Sequence, residues 1–117
     1  MKNFKKLEIW KLGMKIASNS FKITDEFSTY YKWGIGIQIN KCGVSIPSNV
    51  AEGCSRRSEK DQYRFIEIAQ GSSFEIETQL LLAKNMSPAN VQLIEVTLAL
   101  VIQEQKMIMS YMEGLDK

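Results

Sequence analysis

The spacing of apolar residues predicts helices along most of the chain, because they recur at intervals of three and four and do not alternate. Proline and glycine, with 2 and 7 copies, interrupt this pattern at few positions. The first predicted helix covers residues 5–26. Two neighbouring lines give it the wide apolar face of a bundle helix. The longer line is Leu7, Trp10, Met14, Ala17, Phe21 and Thr24, and the shorter one is Ile9, Ile16 and Ile23.

A second helix is predicted over residues 34–52, after a stretch at 28–36 that breaks the apolar pattern and is interpreted as a connection. Pro47 lies inside this helix. A proline in a helix removes one backbone hydrogen bond and crowds the preceding turn, so we expect a kink near residues 43–45.

Pro47 forms a structural motif with three residues that follow it, Asn49, Glu52 and Gly53. Asn49 is expected to satisfy backbone groups that the proline frees, since buried polar groups need partners. Glu52 is expected to pair with an arginine of the third helix or of a neighbouring chain, although both side chains could instead form a polar site. Gly53 is a natural helix terminator.

The third helix is predicted to begin at Ser58 and to continue to about residue 85. The Ser58 hydroxyl can cap it, and Asp61 supplies a carboxylate three residues on, close to a capping box. Gly71 lies near its middle, where glycine weakens a helix, so we expect a neighbouring helix to approach closely there. Its apolar side consists of Phe65, Ala69, Ser72, Ile76, Leu80 and Ala83.

The fourth helix has the most regular pattern, with Ser87 as its predicted cap and Pro88 at its first position. Its seam is Val91, Ile94, Leu98, Val101, Gln105, Ile108, Met112 and Leu115, a heptad-like line with one polar interruption. Four helices of similar length with short links must pack as antiparallel neighbours. The sequence therefore predicts an all-α, up-down-up-down four-helix bundle formed as a single domain by residues 1–117.

The composition narrows the class of protein. A chain of 117 residues is long enough for one core, and its 44% hydrophobic content is typical of a soluble globular protein. No apolar run is long enough to span a membrane, and the first residues do not resemble a signal peptide. Cys42 and Cys54 are therefore expected to be two free thiols in a reducing cytoplasm.

The absence of histidine argues against an enzyme, because the commonest general base is missing. Cys54 stands beside two arginines that could lower its pKa, but no base accompanies it. The carboxylates Glu67, Glu75 and Glu77 lack the histidines of a bundle metal site, so we expect neither metal nor cofactor.

Charge is unevenly distributed although the net charge is only +2. Residues 1–64 contain 12 Lys or Arg against 6 Asp or Glu, whereas residues 65–117 contain 3 against 7. A basic and an acidic half indicate a surface for a polyanion, head-to-tail contact between copies, or a chance asymmetry of a solvated surface.

Two stretches carry a resemblance to a known family. SIPSNVAEG at residues 45–53 is followed by Arg57 and then by RFIEIAQGSSFEIETQL at residues 64–80. Together with the opening FKKLEIWKLGMKIA, these stretches resemble the four-helix-bundle proteins encoded by intervening sequences in bacterial 23S rRNA genes. The resemblance extends from Phe4 to about Met112.

This resemblance implies a cytoplasmic bundle that assembles as a ring-like homopentamer and has no known enzymatic activity. Similar proteins include the accessory variability determinants of diversity-generating retroelements, which are basic pentamers that bind nucleic acid and a reverse transcriptase. One departure concerns Asn40 and Lys41, where family members often carry two arginines. A lysine lacks the arginine fork, so a bidentate phosphate contact is not expected there.

The candidate nucleic-acid contacts are basic residues of the first half of the chain: Lys5, Lys11, Lys15, Arg56, Arg57, Lys60 and Arg64. Those near the start of the third helix would add to the positive end of its dipole. The alternative is that they pair with Glu52, Glu59 or Asp61 on the surface.

The aromatic residues Tyr30, Tyr31 and Trp33 could stack on bases, but we favour a role in packing or subunit contact. Two hypotheses remain. The first is a self-assembling bundle, pentameric by resemblance, that binds RNA or DNA electrostatically. The second is an adaptor oligomer whose partner is a protein and whose basic and acidic halves meet between subunits.

Overall fold

The computed structural model describes residues 2–86 and 90–116 and confirms an all-α bundle. Each of the four long helices packs antiparallel against two neighbours, in the cyclic order α1, α2, α3, α4. A groove between α1 and α2 is therefore remote from α4 and from the outer side of α3. The bounds are α1 Glu8–Asp25, α2 Ile37–Cys54, α3 Glu59–Lys84 and α4 Val91–Glu113, with a 3₁₀ helix Phe4–Lys6 before α1.

The segment between α1 and α2 is helical, so the prediction of an irregular connection at residues 28–36 was wrong. A short turn of α-helix, Thr29–Tyr31, leads into a π-helical stretch, Lys32–Gly36, which joins α2 directly. No proline occurs in this stretch, so nothing prevents the helix from continuing. The second helix is thus kinked and made of joined pieces, with the irregular turns of residues 29–36 at its start. A bend caused by Pro47 itself stays a prediction.

The buried part of the apolar face of α1 is narrower than the sequence predicts. Ile9, Ile16 and Ile23 are buried, as predicted, against the other helices. Met14 and Phe21, from the longer line, are about half exposed. The sequence placed a wide apolar stripe on α1, but α2 and α4 cover only part of it, and the remaining part lies along the open groove beside α2.

The buried seam of α4 is also displaced from the predicted line. Ile94, Val101 and Ile108 are fully buried, as predicted, whereas Gln105 is only half-buried. The polar residues of α4 that enter the core are instead Thr97 and Glu104. Glu104, one position before Gln105 in the chain, lies against Gly13 of α1.

Side-chain caps define the starts of the last two helices. The Asp61 backbone N–H donates to Ser58 Oγ at 3.1 Å, which confirms the predicted cap of α3. At α4 the Leu93 N–H donates to Asn90 Oδ1 at 3.0 Å. The predicted roles of Ser87 and Pro88 lie outside the described residues. Within the described ranges, no helix has the length and apolar character needed to cross a membrane.

Candidate nucleic-acid interface

One end of the bundle gathers the segment before α1, the end of α2, the start of α3 and the end of α4. The Lys2 N–H donates to the Cys54 carbonyl at 3.2 Å, and Lys2 Nζ donates to Gln62 Oε1 at 3.0 Å. Gln62 in turn donates through Nε2 to the Tyr111 hydroxyl at 2.8 Å. These contacts hold four chain segments together at what we call the basic end.

Four of the predicted contact residues extend from the basic end without an ionic partner. Lys5, Arg57, Lys60 and Arg64 are exposed. None of them forms an ion pair with a carboxylate of the described chain. Because exposed, unpaired cations keep their full charge for an incoming anion, this group is the best-supported part of the predicted interface.

The other three predicted residues contribute less to the basic end. Arg56 Nη2 lies 3.1 Å from Glu52 Oε2, and the Arg56 guanidinium lies 4.5 Å from the centre of the Phe65 ring. Lys11 Nζ is 3.1 Å from Glu8 Oε2. Lys15 is exposed one turn further along α1, away from the start of α3. The alternative of pairing with Glu52, Glu59 or Asp61 therefore holds for Arg56, whereas Lys11 pairs with a carboxylate that the alternative did not include.

Asn49 and Glu52 have structural partners. Asn49 Nδ2 donates to the Ser45 carbonyl at 2.8 Å and to Ser45 Oγ at 2.9 Å. The carbonyl that Pro47 leaves without its usual helical donor is that of residue 43, so the expectation that Asn49 satisfies a group freed by the proline stays a prediction. Glu52 pairs with Arg56 of the same chain.

Gly53 and Gly71 do not have the roles that the sequence predicts for them. Gly53 does not end α2, which continues to Cys54. A Cβ on Gly53 would lie 3.2 Å from Phe65 Cβ, so this glycine allows α3 to approach. Gly71 lies at an open position instead, since a Cβ atom on it would have no atom of another described side chain or helix within 4 Å. The predicted close approach at Gly71 does not occur within the chain.

The cysteine environment does not favour a reactive thiolate. Cys42 and Cys54 are both free, as predicted, and both are buried. Burial raises the pKa of the Cys54 thiol, although Lys2 and a hydrogen bond from Gln62 act in the opposite direction. The suggestion that the neighbouring arginines lower this pKa was wrong, because the thiol faces inward and they extend outward.

The aromatic cluster lies at the opposite end of the bundle from the unpaired cations. Tyr30 and Trp33 are strongly exposed, at 83% and 68%, and the rings of Tyr30 and Tyr31 meet edge to face with centres 5.2 Å apart. They belong to the turns before α2, whereas the cations surround its far end. The rings and the cations are therefore not parts of one compact site.

Sequence reasoning missed three residues that the structure makes prominent. Lys2 fastens the first segment to the basic end, and Lys6 is exposed beside it. Their position before the first helix, in a lysine-rich opening, was the available signal. Glu104 was missed because hydropathy patterns do not assign a carboxylate to a core. Among the described residues, no three His, Cys, Asp or Glu side chains cluster so as to hold a metal ion.

Asn40 and Lys41, at the positions where the resemblance implied arginines, have separate environments. Asn40 is half-buried and exchanges hydrogen bonds with Thr24 Oγ1 at 3.0–3.1 Å, which links α1 to α2. Lys41 is exposed at the edge of an apolar depression. The asparagine thus has a structural role in this chain.

Comparison with known proteins agrees with the fold. No curated protein shows significant sequence similarity to the chain. The model of the 23S rRNA-intervening sequence proteins matches residues 5–110, which covers all but the two ends. This protein therefore belongs to the 23S rRNA-intervening sequence protein family.

Proposed function

We propose that this protein is a non-enzymatic, self-assembling helical bundle that binds RNA or DNA electrostatically through its basic end. One observation carries the nucleic-acid part. Lys5, Arg57, Lys60 and Arg64 extend together from one end of the bundle without ionic partners in the described chain. The pentameric state that the family resemblance implies would repeat this end several times on one particle, which would strengthen weak individual contacts.

The mode of binding follows from the side chains available. Exposed lysines and arginines contact phosphates, and phosphate contacts carry little sequence information. The aromatic rings are at the other end, so base stacking is not part of the proposed contact at the basic end. We therefore expect weak binding with little sequence preference and a strong dependence on salt.

The test measures fluorescence anisotropy of a labelled single-stranded RNA and a labelled DNA duplex between about 50 and 200 mM salt. The double variant Arg57→Gln/Arg64→Gln should weaken binding and lower the slope of log K against log salt by between about 1 and 2. The matched control is Lys32→Gln/Lys84→Gln, which removes the same charge. Its lysines pair with Asp25 and Glu95 near the other end.

Two results would contradict the nucleic-acid proposal. One is the absence of binding by wild-type protein at low salt. The other is an equal loss of binding in the double variant and its control, since this would reflect net charge and not the basic end.

The adaptor hypothesis remains a second candidate, because apolar side chains line an open groove between α1 and α2 that another protein could fill. Arg57→Glu separates the two hypotheses. If the basic and acidic halves meet between subunits, this variant should fall apart into smaller species in light scattering. If Arg57 contacts nucleic acid, the variant should keep the wild-type mass and lose RNA binding.

A further inference from the structure

An apolar groove runs along α1 and α2 on the outside of the bundle. Two depressions share Phe21, Val44 and Ser48 in their walls, so they form one continuous groove. Met14 and Phe21 of α1 and Val44 of α2 are each about half exposed there. Side chains of this size normally become buried, and nothing in the described chain covers them.

A second apolar surface lies on the outer side of α3. Phe74 is 52% exposed, and Leu81 and Leu82 are exposed to a similar extent. Gly71 lies one turn before Phe74 and Glu75 on this exposed side of the helix. We call these residues, Gly71, Phe74, Leu81 and Leu82, the α3 ridge.

Gly71 indicates that the α3 ridge is a contact surface. Glycine within a helix is less favourable than alanine, so a helix that keeps one usually gains a close contact. Within this chain no such contact exists, because a Cβ on Gly71 would have open space around it. A contact with a second molecule would supply the missing reason.

The charges beside the two surfaces are complementary. Glu67 and Glu75 stand one turn before and one turn after Gly71, and both are exposed. Lys41 of α2, which is also exposed, lies in the wall of the groove. None of these three residues forms an ion pair within the described ranges.

We propose that the α1–α2 groove of one copy receives the α3 ridge of a second copy. This inference rests on the proposed self-assembly and specifies which surfaces meet. Gly71 would let the two backbones approach, Phe74 would enter the groove near Val44, and Glu67 and Glu75 would face Lys41 in its wall.

The contact is heterologous, because the two surfaces differ and lie on different sides of the bundle. Each copy therefore offers one groove and one ridge, and successive copies form a closed ring or an open filament. An isologous dimer, in which the same surface meets itself, would leave one of the two apolar surfaces uncovered.

The test uses one variant that blocks each surface. Gly71→Arg fills the open space on the ridge, and Val44→Arg places a cation in the groove. Gln103→Arg, at an exposed polar position of α4, is the matched control. Light scattering after size exclusion gives the mass of each protein, and circular dichroism with a thermal melt verifies that each variant folds.

We expect each blocked variant alone to have a mass near the 13.4 kDa of one chain, while the control keeps the wild-type mass. A mixture of the two blocked variants should form a one-to-one dimer that grows no further. In that pair, the intact groove of the Gly71→Arg chain meets the intact ridge of the Val44→Arg chain. Formation of this dimer also shows that both variants are folded.

Each other outcome is decisive. A monomeric wild-type protein would overturn both the proposed self-assembly and this inference. A wild-type oligomer that survives either blocking substitution would overturn only the inference, and the surviving variant would identify the surface that is not used. Equal disruption by Gln103→Arg, or blocked variants that fold but do not pair, would also overturn it.

Discussion

Glu104 Oε2 of α4 lies 3.1 Å from the position that a Cβ atom would occupy on Gly13 of α1. The absence of a side chain on Gly13 thus gives the carboxyl group its place in the core. Glu104 is fully buried, and neither of its oxygens has a hydrogen-bond partner in the described chain. Because burial alone disfavours the charged form, the pKa of Glu104 rises from 4.5 to about 8.

The buried carboxyl group makes stability depend on pH. The folded chain keeps a proton on Glu104 up to about pH 8, whereas the unfolded chain releases it near 4.5. The folded state therefore binds more protons across this window, and the free energy of unfolding should decrease as pH rises through it. The slope from this one group is at most about 1.4 kcal/mol per pH unit.

Glu104→Gln should remove this contribution, because glutamine has nearly the same shape and does not ionise. Urea denaturation of both proteins across the window gives the difference in unfolding free energy at each pH. This difference should move in favour of the variant as pH rises and level off above about 8. A difference that stays constant would show that Glu104 is not protonated in the folded state.

Two glycines in helices should respond in opposite ways to the same substitution. A Cβ on Gly43 would lie 2.7 Å from Ser20 Oγ, and that hydroxyl is buried and donates to the Ala17 carbonyl at 2.7 Å. Gly43→Ala should therefore lower the unfolding free energy by about 1–3 kcal/mol through overpacking. Gly71→Ala, made in the Val44→Arg chain so that the proposed contact between copies is absent, should raise it by up to about 1 kcal/mol relative to that chain through better helix propensity.

Chemical denaturation under the same conditions compares these two alanine variants directly. Each serves as the control for the other, since the change in composition is identical. Equal effects would mean that α1 and α2 do not approach each other closely at Gly43.

The Tyr111 hydroxyl should contribute to stability by holding Gln62. Gln62 is 3% exposed, and without this hydroxyl its Nε2 would keep only Cys54 Sγ, at 3.7 Å. Tyr111→Phe should therefore lower the unfolding free energy by about 1 kcal/mol. Tyr30→Phe removes an exposed hydroxyl and should have no measurable effect. Thermal denaturation of both variants checks this, and equal melting temperatures would contradict it.

The sequence predicted the helices more successfully than it predicted which of their side chains are buried. Apolar spacing and caps identify four helices because these signals act within a few residues of one another. Whether Met14 and Phe21 are buried depends on how much of α1 its neighbours cover, which spacing does not encode. Glu104 was missed for a similar reason, since the step after Val101 can be three or four residues, and apolar spacing does not decide between Glu104 and Gln105.

The basic end was predicted only in part. The sequence identified Lys5, Arg57 and Arg64 as candidates, and antiparallel packing brings the start of α3 close to the start of α1. Which cations remain unpaired depends on side-chain geometry. Arg56 can reach Glu52 one turn earlier, whereas Arg57 is directed away from it and stays exposed.

The two buried cysteines provide reporters of motion in different parts of the bundle. Cys42 belongs to the larger apolar cluster, whereas Cys54 lies beneath Lys2 and Gln62 at the basic end. A thiol reagent can reach either one only when its surroundings open. Labelling rates followed by mass spectrometry would therefore compare local opening at the two sites, and bound nucleic acid should slow the reaction of Cys54 more than that of Cys42.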